Sequence, residues 1–172
     1  MELPKSQQLP ASESLFVANA RFTANDDDGC AKPFSAYNLL NSLVLKECSL
    51  QSDAKILFIS NSNLFSLNLD NNIFPHAFQH KIVLSTPNLS SLTIADHLGP
   101  SCYQLLSTCD LSFLEEGNIQ TSTRNIYSGW LQLLTYNVKI LTLSSCTLEL
   151  LLKVRHFRLF FVFPLFIFIM IS

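Results

Sequence analysis

Leucine and isoleucine recur along the chain at a nearly constant interval, and the clearest copy of the pattern lies between Asn88 and His97. There, Leu89, Leu92 and Ile94 have the spacing L-x-x-L-x-L. Four more copies follow this template at steps of 24 or 25 residues, beginning at Leu40, Leu64, Leu114 and Val138. A period in the range of roughly 20–29 residues predicts a solenoid of leucine-rich repeats.

The spacing within each copy predicts a short strand. The L-x-L pair places two apolar side chains on one face of a strand, and the leucine three positions earlier reaches the same core from the approaching turn. One unit cannot bury this face alone, whereas stacked units form a parallel sheet over a continuous core. We therefore predict an α/β fold: a leucine-rich-repeat solenoid of about five repeats of 24–25 residues, with a parallel concave sheet and a helical or irregular convex side.

The full unit is L-x-x-L-x-L-x-x-N/C-x-L, and its N/C position belongs at an inner turn. Asparagine there bonds the backbone of adjacent coils, and cysteine fills the slot as a small buried hydrophobe. Cys48, Asn72 and Cys146 satisfy the rule, so we expect both cysteines to be buried. The fourth copy has Gly117 in place of its middle leucine, which weakens that strand.

Asparagine also precedes the first apolar residue of three units, at Asn63, Asn88 and Asn137. It tolerates turn geometry and bonds its own backbone, which suits a tight entry into a strand. The tripeptide that starts at Asn88 also matches a glycosylation acceptor, but the turn role explains this residue without export.

Composition divides the chain into three parts. Residues 1–33 are polar and predict a loosely structured lead-in, residues 34–152 carry the repeats, and residues 153–172 are basic and then rich in phenylalanine. As a helix, the apolar run 159–171 would span roughly 20 Å, short of the ~30 Å hydrocarbon core of a bilayer. We interpret it as a truncated or misread gene end that replaces further repeats; the alternative is a short membrane-associated tail.

Charge and cysteine content narrow the classes of function. The net charge is −2 and no basic cluster precedes residue 153, which argues against a nucleic-acid surface. Five cysteines form an odd set without C-x-x-C spacing, which favours reduced thiols. Residues 14–20 offer too short an apolar run for a secretory signal. Together these features predict a cytoplasmic or nuclear protein.

No group of residues has catalytic or metal-binding spacing. The four histidines are scattered, and the chain has neither a G-x-S-x-G motif nor a glycine-rich phosphate loop. His76 and His80 are four residues apart and could share a helix face as ligands, but ordinary surface polarity explains them as well. Cys102, Cys109 and His97 match no common zinc pattern. We predict neither an enzyme nor a resident metal or cofactor.

The outward positions of the predicted strands define a candidate binding face. They alternate with the buried leucines, so their side chains point away from the core. A mostly polar, weakly charged ladder of this kind suits hydrogen bonding to a protein or a small ligand. The candidate residues are Ser42, Val44, Lys46, Ser66, Asn68, Asp70, Ser91, Thr93, Ala95, Glu116, Asn118, Gln120, Ile140, Thr142 and Ser144.

Four phrases extend beyond the bare repeat: LVLKECSL, STPNLSSLTI, LSFLEEGNI and NVKILTL, at residues 43–50, 85–94, 111–119 and 137–143. They resemble the repeat region of plant F-box/leucine-rich-repeat proteins, especially the legume-type expansion, over about residues 34–152. The resemblance implies that the repeats recruit a target protein, while an N-terminal F-box binds the Skp adaptor of a cullin ubiquitin ligase. Residues 1–33 lack the amphipathic three-helix pattern of an F-box, so the resemblance covers only the target-binding half.

The leading hypothesis is therefore a non-enzymatic, protein-binding repeat module that resembles the substrate-recognition part of a ubiquitin ligase receptor. One alternative is a membrane-associated, receptor-like repeat protein that uses residues 159–171. Another is a truncated, non-functional remnant.

Overall fold

The computed structural model describes residues 13–24, 28–70, 80–96, 103–109, 111–121, 138–147 and 167–171. These segments form a β-solenoid of about four turns. In chain order its strands are β1 (Ser14–Ala18), β2 (Arg21–Phe22), β3 (Cys30–Ala31), β4 (Ser42–Lys46), β5 (Ser49–Leu50), β6 (Ile56–Ser60), β7 (Ser66–Asp70), β8 (His80–Ser85), β9 (Ser91–Asp96), β10 (Tyr103–Ser107), β11 (Glu116–Thr121), β12 (Ile140–Ser144) and β13 (Ile167–Ile171).

The largest sheet has seven parallel strands in the order β1-β4-β7-β9-β11-β12-β13. Its five inner strands, from β4 to β12, are those that the leucine period predicts. Their register follows the period as well, because Leu43 pairs with Leu67, which pairs in turn with Leu92. The prediction of a solenoid with a parallel sheet is therefore confirmed.

The opposite side of the coils is a second parallel sheet, in the order β10-β8-β6-β3. The prediction of a helical or irregular convex side is thus wrong for the described part of the chain, in which only residues 145–147 are helical. Buried and half-buried positions alternate along β6 and β8, which pair side by side with one face on the core. A period of two specifies a strand rather than a helix.

The solenoid begins earlier than the polar composition of residues 1–33 suggests. Strand β1 pairs with β4 along its whole length, from Ser14 opposite Ser42 to Ala18 opposite Lys46. The predicted loose lead-in is therefore incorrect for residues 13–24 and 28–33, which contribute three strands. Leu15 and Val17 supply the apolar alternation of β1, but Ser12 stands where the template requires a leucine. The repeat pattern alone therefore misses this strand.

The core lies between the two large sheets and is a single apolar cluster. The template residues of three successive coils are almost completely buried, and none is more than 1% exposed: Leu40, Leu43, Leu45, Leu64, Leu67, Leu69, Leu89, Leu92 and Ile94. In the next coil Gly117 stands between Leu92 and Leu141 in the ladder. Leu141 is only partly buried, which is consistent with the side chain missing at Gly117.

Tight corners lead out of the seven-stranded sheet toward a small sheet formed by β2 and β5. Asn19 and Glu47 directly follow β1 and β4, with positive φ angles of 53° and 52°. The Asn19 N–H donates to the Lys46 carbonyl at 2.9 Å, and the Glu47 N–H donates to the Asp70 carbonyl at 2.8 Å. Asparagine adopts this left-handed conformation readily, whereas glutamate adopts it at a cost.

Replacing Glu47 by asparagine should raise the free energy of unfolding by up to about 1 kcal/mol, because the corner conformation then costs less. Glu47→Val should lower it by about 1–3 kcal/mol, since a β-branched residue is strained at positive φ. Chemical denaturation of both variants measures these changes. A Glu47→Asn variant no more stable than the parent would contradict the strain assigned to this corner.

The last described segment, β13, belongs to the apolar tail and extends the large sheet. It pairs in parallel with β12, from Ile140 opposite Ile167 to Ser144 opposite Ile171. The sheet therefore continues past residue 152, where the predicted repeat region ends. Within the described residues, no helix has the length and apolar character needed to cross a membrane.

Candidate functional site

The outward side chains of six strands of the large sheet, β1, β4, β7, β9, β11 and β12, form three rows that cross the strands, because these strands share one unbroken register. We call this surface the ladder face. Its first row is Ser14, Ser42, Ser66, Ser91, Glu116 and Ile140. Its second row is Phe16, Val44, Asn68, Thr93, Asn118 and Thr142. Its third row is Ala18, Lys46, Asp70, Ala95, Gln120 and Ser144.

The ladder face contains every candidate residue predicted from the sequence. Most of these side chains are half-buried by their neighbours in the row, and Glu116 is exposed. Adjacent members of a row stand on neighbouring strands, roughly 4.8 Å apart. The structure thus brings the predicted residues together as one surface rather than scattering them over several.

Two polar contacts order part of this face. Lys46 Nζ lies 3.7 Å from Asp70 Oδ2, and Gln120 Nε2 donates to Asn118 Oδ1 at 3.2 Å. The ion pair is partly exposed, so it contributes about 1 kcal/mol or less. The amide contact has a different effect, because it fixes how Asn118 presents its donor and acceptor groups.

Asn68 lies in the middle of the second row, between Val44 and Thr93. Its side-chain oxygen is buried and accepts no hydrogen bond from any residue that the structure describes. An unbonded buried acceptor costs about 1–3 kcal/mol. Because this oxygen has almost no accessible surface, a partner could bond to it only after the Asn68 side chain turned outward.

Phe16 is part of the ladder face that the sequence did not reveal. It starts the second row beside Val44 and is 65% exposed. Aromatic side chains, phenylalanine among them, are enriched at the cores of protein interfaces. The alternation of Leu15 and Val17 around Phe16 was the available signal, but it stands in a segment whose overall composition is polar.

The asparagines before the strands bond neighbouring coils rather than their own backbone. Asn63 Nδ2 donates to the Asn38 carbonyl at 2.6 Å, and Asn88 Nδ2 donates to the Ser62 carbonyl at 2.7 Å. At the predicted turns, these asparagines therefore link successive coils through side-chain hydrogen bonds. Asn137, the third residue of the set, lies outside the described residues.

The inner-turn slot after β4 is filled by Cys48, as predicted. This side chain is 1% exposed, and its Sγ lies 3.5 Å from the carbonyl oxygens of Val17 and Lys46. Burial raises the pKa of the Cys48 thiol, and backbone hydrogen bonds at Ala20 and Lys46 act in the opposite direction. Asn72, which has the same position in the next repeat, lies outside the described residues.

The corresponding prediction for Cys146 is wrong, because this side chain is exposed. Thr147 fills the slot instead: it is fully buried and donates from Oγ1 to the Ile119 carbonyl at 3.4 Å. The Ile119 carbonyl belongs to β11, the strand that precedes β12 in the large sheet. In the same way, the Val17 carbonyl belongs to β1, the strand that precedes β4 and Cys48. Helical residues 145–147 follow β12 directly, and this change of local path places the residue after Cys146 in the slot.

Thiol labelling of the native protein should distinguish these two cysteines. Cys146 should react rapidly with iodoacetamide, whereas Cys48 should react only after denaturation, because burial both blocks access and disfavours the thiolate. Mass spectrometry of peptides labelled before and after unfolding measures the difference. Equal labelling of Cys146 and Cys48 in the native protein would contradict the assignment of the slot to Thr147.

The candidate metal ligands are not assembled in the described part of the chain, where no three histidine, cysteine or acidic side chains form a group that could hold an ion. His80 is buried at the start of β8. His76, His97 and Cys102 lie outside the described residues. The structure therefore supplies no geometry for either candidate set of metal ligands.

No protein-family model, no curated protein and no solved structure matches the chain.

Proposed function

We propose that the chain is a non-enzymatic, protein-binding leucine-rich-repeat module whose ladder face recognises a target protein. The ladder face itself carries this proposal. It presents hydroxyl and amide side chains in register across six strands of the large sheet, around a half-buried amide with an unbonded oxygen. Parallel strands hold the backbone of these residues in place, which lowers the entropy cost of ordering them when a partner binds.

We further propose that the module acts as the substrate-recognition part of a ubiquitin ligase receptor. The support is the resemblance of the four repeat phrases to plant F-box/leucine-rich-repeat proteins. This proposed role implies a cytoplasmic or nuclear location. It is also supported by the described cysteines, because Cys30, Cys48, Cys109 and Cys146 are not joined in disulfides, as expected in a reducing compartment.

Site-specific photo-crosslinking tests the binding face. A benzophenone side chain at Thr93, at the centre of the ladder face, should capture a target from plant cell extract. The same side chain at Val83 serves as the control, because Val83 holds a half-buried, non-core-facing position on the opposite sheet. Addition of a Ser91→Arg substitution should abolish capture at Thr93. Capture of the same proteins from both positions, or of none from Thr93, would contradict the proposal.

Ligase membership is tested separately with the purified Skp adaptor. Binding of the adaptor by the full chain would support ligase membership, and no binding would leave the chain with target recognition alone. If targets captured through Thr93 are not ubiquitinated in the presence of the complete ligase, the proposed ligase role fails. The protein-binding role would still stand in that case.

A further inference from the structure

An open cavity of about 680 Å³ lies beside the small sheet of β2 and β5. We call it the corner cavity. Its volume is within the range of roughly 300–1,000 Å³ that is usual for small-molecule sites. None of its lining residues belongs to the three rows of the ladder face, so it is a separate site. Apart from the buried Leu50, the lining is polar or charged: Asn19, Arg21, Glu47, Ser49, Gln51 and Ser52.

The corner cavity contains one positive and one negative side chain, which come from successive coils. Arg21 stands opposite Ser49 in the pairing of β2 with β5, and Glu47 precedes Ser49 by two residues. Asn19 takes the place of Glu47 on the preceding coil, because Ala18 pairs with Lys46. Arg21 and Glu47 therefore stand diagonally across two backbone segments that are roughly 4.8 Å apart.

Neither of these two charges is neutralised within the part of the chain that the structure describes. The exposed Arg21 guanidinium and the Glu47 carboxylate form no ion pair, either with each other or with another described residue. Lys46, the residue before Glu47, has a different arrangement, because it pairs with Asp70. Two opposite charges that line one cavity without pairing can each form charge-assisted hydrogen bonds to a ligand.

Glu47 also occupies its corner at a cost to the fold. Its φ angle is 52°, a conformation that asparagine adopts more readily, and asparagine is the residue at the equivalent corner, Asn19. The Glu47 carboxylate makes no ion pair in the described part of the chain that would offset this cost. Residues held in unfavourable backbone conformations cluster at ligand sites. The charge of Glu47 is therefore better suited to binding than to stability.

We propose that the corner cavity binds a small zwitterionic ligand, either an amino acid or a short peptide with free termini. The ligand carboxylate accepts hydrogen bonds from the Arg21 guanidinium, and the ligand ammonium donates to the Glu47 carboxylate. The Ser49 hydroxyl and the Gln51 amide bond to polar groups between the two charges. A ligand with a single charge would leave Arg21 or Glu47 unneutralised, so charge complementarity selects a zwitterion. This inference goes beyond the proposed protein-binding function and does not rest on it.

Isothermal titration calorimetry of the full chain with triglycine tests the inference. Triglycine has both charges, N-acetyl-triglycine lacks the ammonium, and triglycine amide lacks the carboxylate. We expect triglycine to bind. Each blocked form should bind at least about fivefold more weakly, because it loses a hydrogen bond between charged groups at a partly exposed site.

Two variants assign each ligand charge to its residue. Arg21→Gln should weaken triglycine binding about fivefold but leave the affinity for triglycine amide unchanged, since that form has no carboxylate to lose. Glu47→Asn should weaken triglycine binding by a similar factor and leave the affinity for N-acetyl-triglycine unchanged. This variant is expected to be more stable than the parent, so its weaker binding would not come from misfolding. Asp53→Asn is the matched control, because it removes an exposed carboxylate that does not line the cavity.

Equal affinities for triglycine and its two blocked forms would overturn the inference, as would the absence of triglycine binding up to about 10 mM. Equal losses for Glu47→Asn and Asp53→Asn would overturn it too, because they would indicate a general effect of net charge. None of these outcomes affects capture through Thr93, which tests the protein-binding role of the ladder face independently.

Discussion

Replacing Leu92 by alanine should lower the free energy of unfolding by about 2–5 kcal/mol, in the upper part of the range for buried leucines. Leu92 is 1% exposed in the middle strand of the large sheet and pairs with Leu67 in the preceding coil. On its other side stands Gly117, which has no side chain to move into the space. The cavity would therefore collapse only partly, and chemical denaturation should report a large loss.

Ser91→Ala is the matched control for this substitution. It changes the adjacent residue of the same strand, whose side chain points to the ladder face rather than to the core. We expect it to shift stability by about 0.5 kcal/mol or less. Because coils of a solenoid contact only their neighbours, Leu92→Ala should also broaden the unfolding transition. Comparable effects of Leu92→Ala and Ser91→Ala would contradict the assigned core.

Two buried threonines should respond in opposite directions when changed to valine. Thr86 is fully buried, and its hydroxyl bonds to no residue that the structure describes. Valine has nearly the same shape, so Thr86→Val should raise the free energy of unfolding by about 1–2 kcal/mol. Thr147 is equally buried, but its hydroxyl bonds to the Ile119 carbonyl and lies 2.7 Å from the Ser144 hydroxyl. Thr147→Val should lower stability by about 1 kcal/mol or more.

These two variants serve as controls for each other, because each removes one hydroxyl from a fully buried site. Equilibrium denaturation under identical conditions measures both. Losses of similar size at Thr86 and Thr147 would mean that the Thr86 hydroxyl has a partner in solution, such as an ordered water molecule. The expected difference in sign would then be refuted.

The period of the leucines was sufficient to predict the five inner strands of the large sheet and their register. Leu43, Leu67 and Leu92 each start an L-x-L pair, and a register slip of one residue would turn these apolar side chains toward solvent. The same alternation placed the polar residues of the ladder face on one surface. Their positions follow directly from the backbone period, which explains why the candidate residues share a face.

The features that the sequence did not predict depend on pairing with a neighbouring coil. Strand β6 is a short apolar run that could equally cover the core as an irregular segment. It is a strand because β8 lies beside it. The exposure of Phe16 likewise depends on β1 joining β4. Cys146 has the consensus spacing. The helical residues 145–147 nevertheless shift the buried inner-turn position by one residue, and a spacing rule cannot predict such a shift.

The unbroken register of the large sheet has a consequence for how the gene can change. Successive strands are 28 residues apart at β1 and β4, 24 at β4 and β7, and 27 at β12 and β13. The corners absorb these differences while the strands stay aligned. Insertions or deletions at a corner should therefore be tolerated, and duplication of a whole coil would lengthen the ladder face without disturbing the existing rows.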